Sequence, residues 1–123
     1  MKNNRPIPTE DEECYILVEW LTRIRLRFTH IPNEGKFPVQ YRMKLKKLGV
    51  SSGFPDYIIF IPKERSVTNE NVTIFCEMKR TKGGVVSPFQ KEWNRFLNSI
   101  GQVARVCLGF DDVKKVIDFY IKY

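Results

Sequence analysis

The sequence predicts an α/β fold: a central mixed β-sheet flanked by α-helices. Two runs of strand length, Tyr57 to Ile61 and Val72 to Lys79, are separated by the polar, turn-forming stretch 63–71 and read as an antiparallel hairpin. Apolar residues recur at helical spacing in four other segments, and two further strand-like stretches lie between them. The order is helix, strand, helix, strand, strand, helix, strand, helix, which implies a sheet covered by helices. At 123 residues, 42% of them hydrophobic, the chain can bury one core and has no room for a second domain. Residues 1–9, with two prolines and no periodicity, are expected to form a flexible lead-in to a single domain over 10–123.

Thr9 is placed to cap a first helix whose opening turn, Glu10 to Glu13, is acidic as the helix dipole prefers. Tyr15, Leu17, Val18 and Leu21 mark its apolar face, and it should end near Arg23. From Ile24 to Ile31 apolar and polar residues alternate, the pattern of a half-buried strand, and Pro32-Asn33-Glu34-Gly35 closes it as a turn. Tyr41, Leu45 and Leu48 recur at helical spacing between Phe37 and Leu48, with Gly49 at the C-cap position. Tyr57 to Ile61 is a continuous apolar run, hence a central strand stopped by Pro62.

Gly83-Gly84 marks a loop after the second hairpin strand, and Ser87-Pro88 is a helix start with a capping side chain followed by proline. Phe89, Trp93, Phe96 and Ile100 should line the buried face of that helix, with Gly101 ending it. Trp20 and Trp93, at helical apolar positions, are expected in the core. Val103 to Leu108 is a further strand, and Asp111-Asp112 should cap a last helix bearing Val113, Val116, Ile117 and Tyr120.

Twenty-one Lys and Arg against fourteen Asp and Glu give a net charge of +7, which favours a polyanionic partner. The excess is uneven: Lys36, Arg42, Lys44, Lys46 and Lys47 occur with no acid before Asp56. Cys14, Cys76 and Cys107 are odd in number, far apart and set among apolar residues, as buried free thiols in a reducing compartment would be. The lack of a CxxC pair and the single histidine speak against a structural zinc site. The N-terminal stretch is acidic where a signal peptide is apolar, and no run approaches the roughly 18 apolar residues of a membrane span. A soluble cytoplasmic protein with no membrane partner is expected.

The chemistry concentrates where the second hairpin strand ends. Alternate strand residues share a face, so Glu77 and Lys79 project together, about 7 Å apart along the strand. An acid-x-Lys triplet arises by chance roughly once in a chain of this length. Here there are three, Glu34-x-Lys36, Glu77-x-Lys79 and Asp112-x-Lys114, and Glu77-x-Lys79 differs by ending an apolar strand. Asp56, entering the neighbouring strand, could converge with Glu77 on Mg²⁺, with the backbone carbonyl of Met78 as a third oxygen ligand. Lys79 could then orient or help deprotonate an attacking water. The same residues could instead form a structural ion pair.

Gly53-Phe54-Pro55-Asp56, Glu77-Met78-Lys79 and Ser87-Pro88-Phe89-Gln90 with Trp93 together resemble the virus-type replication-repair nuclease (VRR-NUC) family of the PD-(D/E)xK superfamily. The segment from His30 to Gly35 and the helix after it resemble that family too. The resemblance implies a restriction-endonuclease-like fold, dependence on Mg²⁺ or Mn²⁺, and structure-directed cleavage of branched or junction DNA in phage or bacterial replication, repair or recombination. Carried over by position, Asp56 and Glu77 would be metal ligands, Lys79 the catalytic lysine and Gln90 the glutamine of the downstream helix. The family also places an acid of its first helix near the metal. Glu10, Asp11, Glu12 and Glu13 are candidates, and Glu13, in line with Leu17, comes nearest the buried face.

Lys44, Lys46, Lys47, Arg80 and Lys82 are candidate DNA-backbone contacts, although a charge run is also the ordinary solvated face of a protein. His30 could act as a general base or as a structural hydrogen-bonder. A module that keeps the fold and binds nucleic acid without cutting is the rival reading, as is a basic protein-interaction domain. A single small domain presents one site to one phosphate, so paired cuts would call for a homodimer.

Overall fold

The hairpin forms the middle of the sheet. The computed structural model of the chain describes residues 6–32 and 37–123; residues 1–5 of the expected lead-in, most of the turn at Pro32 to Gly35, and Lys36 lie outside the described residues. The elements are α1 (Glu10–Arg23), β1 (Arg27–His30), α2 (Val39–Lys47), β2 (Tyr57–Ile61), a 3-10 turn (Lys63–Arg65), β3 (Val72–Lys79), α3 (Pro88–Ser99), β4 (Val103–Leu108) and α4 (Phe110–Tyr120). The sheet order is β1-β2-β3-β4, with β1–β2 and β2–β3 antiparallel and β3–β4 parallel through the α3 crossover. This is the expected α/β architecture in the expected order.

Register sorts the side chains onto two faces. Tyr57, Ile59 and Ile61 of β2 lie opposite Cys76, Ile74 and Val72 of β3. This face is the core, shared with Leu17 and Leu21 of α1 and Val113 and Ile117 of α4. The alternate residues of β3, Phe75, Glu77 and Lys79, therefore point to the other face, where α3 packs. Among the described residues no helix is long and apolar enough to cross a membrane.

Four local expectations are corrected. The strand expected from Ile24 begins only at Arg27, because the preceding residues close α1. Arg25 takes a left-handed φ of 60°, Leu26 N donates to Leu21 O (3.1 Å) and Arg25 N to Thr22 O (3.2 Å), a Schellman stop built on a non-glycine residue. Arg65 adds to it by donating to the carbonyls of Ile24 and Arg25. Second, α2 buries none of its residues, and Tyr41 and Leu48 are exposed.

Third, α3 is turned relative to its apolar stripe. Gln90 and Leu97 are buried, whereas Phe89, Phe96 and Ile100 are 51–60% exposed and Trp93 is half-buried, like Trp20. Fourth, α4 is not capped by Asp111 or Asp112. Its N-cap is Gly109, and the amide of Phe110 donates to Glu13 Oε2 at 2.5 Å, while Asp112 accepts from Leu108 N.

Cys76 and Cys107 are buried as expected, whereas Cys14, on α1, is only half-buried. Burial pushes Cys14 up to about 11, and the hydrogen bond with Cys107, followed by burial, pushes Cys76 well up. Thiolate is the reactive species, so Cys14 and Cys76 should be inert near neutrality, and Cys107, 2% exposed, is shielded by its burial. Native protein treated with iodoacetamide at pH 8 should stay unlabelled at Cys76 and Cys107 by mass spectrometry and label fully in denaturant. Rapid labelling of either without denaturant would contradict this packing.

Candidate active site

The start of β2 and the end of β3 bring four sequence-predicted residues together. Tyr57 pairs with Cys76, so one step before the first residue of β2 sets Asp56 against Glu77. The β1–β2 pairing continues to the same point, where Ile31 N donates to Asp56 O at 2.7 Å. The Asp56 side chain then extends the ladder in place of main chain: Oδ2 accepts the amide of Met78 at 3.1 Å. The N–H and C=O of one strand residue face the same neighbour, so the Met78 carbonyl is turned toward Asp56 as well.

On Glu77, one oxygen gathers two donors. Oε1 accepts from Gln90 Nε2 at 2.5 Å and lies 3.6 Å from Lys79 Nζ. Asp56, Glu77, Lys79 and Gln90 are each only 3–9% exposed. Gln90 is held from its other end by the start of α3: its Oε1 accepts Ser87 N (2.8 Å) and its own amide donates to Ser87 Oγ (3.2 Å). This is a capping box, and Ser87-x-x-Gln90 is its sequence signature, a signal that could have tied Gln90 to the helix start from sequence alone.

The loop before Asp56 is pressed onto the same helix start. Gly53 has φ +81°, and a Cβ there would come within 2.6 Å of Gln90 N and Phe89 C. Phe54 stacks edge-on against Trp93 (5.0 Å) and Phe75 (6.0 Å), clamping loop, helix and β3 together. The need for glycine at position 53 was not legible, because the close approach joins residues distant in sequence.

Other contacts place the remaining candidates. Glu13 is buried, with Oε2 on the α4 amide described above. Lys44, Lys46 and Lys47 are exposed on α2, and Arg80 and Lys82 are exposed in the loop after β3. His30 ends β1 exposed, its ring tilted against Tyr57 at 4.7 Å.

The donor set fits a hard divalent ion better than a soft one. Asp56 and Glu77 with the Met78 carbonyl offer oxygen only, the ligand type of Mg²⁺ and Mn²⁺. Among the described residues no cluster of three or more His, Cys, Asp or Glu gathers. An ion there would complete its shell with main-chain oxygen and water, as Mg²⁺ habitually does.

The VRR-NUC domain family model matches residues 8–111, a span that contains all four residues of the cluster. Among solved structures, a VRR_NUC domain protein superposes with a TM-score of 0.72 at 26% identity, over 98% of this chain and 91% of that one. No curated protein matches the sequence.

The packing of Gly53 separates steric from conformational strain. Gly101, at the end of α3, also has positive φ, +85°, but has open space around it. Gly101→Ala should cost about 1 kcal/mol, the strain of a left-handed non-glycine residue. Gly53→Ala should cost clearly more in urea unfolding, because α3 must also move away. Equal losses at the two positions would show that the loop does not rest on α3.

Proposed function

The chain belongs to the VRR-NUC domain family, nuclease-type domains on a restriction-endonuclease-like fold, and from that premise we propose that it is an Mg²⁺- or Mn²⁺-dependent DNA endonuclease. The observation that carries the proposal is the pair of buried carboxylates, Asp56 and Glu77, at adjacent strand ends, with Lys79 Nζ 3.6 Å from Glu77. A structural ion pair would need Glu77 and Lys79 alone; the second acid adds negative charge that calls for a cation.

In this reading Asp56, Glu77 and the Met78 carbonyl hold the ion, which when bound neutralises charge on the scissile phosphate and acidifies water. Gln90 fixes the orientation of Glu77. Lys79 supplies positive charge beside the phosphate and positions the attacking water. Glu13, bonded to α4, is the weakest candidate for the metal shell. Lys44, Lys46, Lys47, Arg80 and Lys82 hold the DNA backbone without reading sequence.

The proposal extends to branched or junction DNA cut by a homodimer, in phage or bacterial replication, repair or recombination. Two-fold symmetry would present two sites to two strands. The exposed stripe of Phe89, Phe96 and Ile100 supports an apolar partner surface. A non-cleaving DNA-binding module is the alternative, and activity distinguishes it.

Labelled single-stranded, duplex, flap and four-way-junction DNA, each with Mg²⁺, Mn²⁺ or EDTA, provide the test. Cleavage should require the metal and prefer branched substrates. Asp56→Ala, Glu77→Ala and Lys79→Ala should each lower the rate by about 10²–10⁴ while the protein remains folded. Binding without metal-dependent cutting would establish the alternative. Light scattering that gives a monomer, with cuts in one strand only, would remove the dimer and leave the nuclease.

Salt dependence tests the binding surface. Each lost phosphate contact lowers the log-log slope of affinity against salt by about 0.9 on duplex DNA. Replacing Lys44, Lys46 and Lys47 together with Gln should flatten it by up to about 2.7. An unchanged slope would put the DNA on another face.

A further inference from the structure

α1, α3 and α4 each bury at least two residues against the sheet or one another, but α2 buries none, and within it only Leu45 is even half-buried. It is nine residues long. Helices shorter than about 12–15 residues are marginal in water without packing, because nucleation is unfavourable by a factor of about 10³. What stabilises α2 locally is its C-terminal end. Gly49 is left-handed, and Val50 N and Gly49 N donate to the carbonyls of Leu45 and Lys46, both at 3.0 Å, as a Schellman motif. Its N-cap, Pro38, makes no side-chain bond.

The cations of α2 repel one another in the free protein. Arg42 and Lys46 are four residues apart, Lys44 and Lys47 three, and like charges at these spacings destabilise a helix. No acid occurs between Lys36 and Asp56 to offset them. Lys44, Lys46 and Lys47 lie in the last turn, where the helix dipole favours cations, so the dipole offsets part of this repulsion, while Arg42, outside that turn, gains nothing from it. A partner that supplies regularly spaced negative charge would remove the repulsion and stabilise the helix together.

We infer that α2 is a substrate-ordered element, whose helix is only partly populated in the free protein and becomes fully formed on the phosphate backbone of duplex DNA. The inference rests on the nuclease reading for its ligand and adds that ordering α2 is coupled to binding. Charge complementarity chooses the occupant: four cations and no acid on an otherwise uncovered helix match a polyanion better than a second copy of this net-positive chain.

Hydrogen exchange on the full chain, free and with a short random-sequence duplex in EDTA, tests it without cleavage. Amides 43–50 should exchange quickly in the free protein and at least about tenfold more slowly with DNA. Met43 is exposed, so Met43→Gly disturbs helix propensity alone. It should leave the melting temperature unchanged and weaken DNA binding about fivefold, with Met43→Ala close to the parent.

Full protection without DNA would overturn the inference. Protection that follows protein concentration instead of DNA would also overturn it and assign the surface to a second copy. So would Met43→Gly lowering the melting temperature with affinity unchanged. DNA that orders α2 but is never cut with Mg²⁺ or Mn²⁺ would sink the nuclease reading and leave this one. Cutting with α2 unaffected would do the reverse, and no binding at all would overturn both.

Discussion

A carboxylate and an ammonium lie 3.6 Å apart at the exit of β3, with less than a tenth of either side chain exposed. Taking two such charges out of water costs several kcal/mol per ion, repaid only when further hydrogen bonds complete the pair. Gln90 supplies one, and a glutamine on another element can do so only if that element is held in place. The capping box fixes the amide of Gln90 relative to α3, and the contact of Gly53 with Phe89 and Gln90 fixes α3 relative to the loop that ends in Asp56. Loop, helix start and strand end are thus mutually constrained around one buried charged pair.

That constraint accounts for the rotation of α3. The sequence pattern places Phe89, Trp93, Phe96 and Ile100 inward, yet satisfying Glu77 requires Gln90 to point in, and helical geometry then carries Phe89 outward with Phe96 and Ile100. Full burial of such side chains is worth about 1.5–3 kcal/mol each, much of it not realised in the isolated chain. A surface that keeps so much apolar area open gains most from an apolar partner, which is why the proposed homodimer and the turned helix belong to the same physical account.

What was legible in the sequence is what depends on near neighbours. The bounds of α1, β2, β3, α3 and β4 follow from apolar periodicity and from Thr9, Pro62, Ser87 and Gly101, each acting within a few residues. The meeting of Asp56 with the Glu77-Lys79 pair follows from hairpin register, also a local property. The late start of β1 was hidden because the left-handed position closing α1 is Arg25, a residue type that does not announce such a turn. The isolation of α2 was hidden for a different reason: an amphipathic pattern says that a helix has an apolar face, not that anything covers it.

Glu13 shows why even a correctly chosen residue can have an unforeseen contact. Its distance from Leu17 along α1 brings it inward as expected, but the group that receives its carboxylate is the Phe110 amide, 97 positions away. Helix N-termini favour negative charge, so α4 is capped by an acid from α1 instead of by its own aspartates. The same turn reaches the end of β3, because Gly109 N donates to the carbonyl of Lys79 at 2.9 Å. Gly109 is left-handed at φ +84°, and a side chain there would collide with Glu13 and Thr81. The main chain of Lys79 is therefore braced from the β4 side by Gly109, while its side chain is engaged with Glu77 on the α3 side. A strand end held by main chain on the β4 side and by a side-chain contact on the α3 face keeps its two charged residues in fixed relation, which is what the chemistry proposed for them demands.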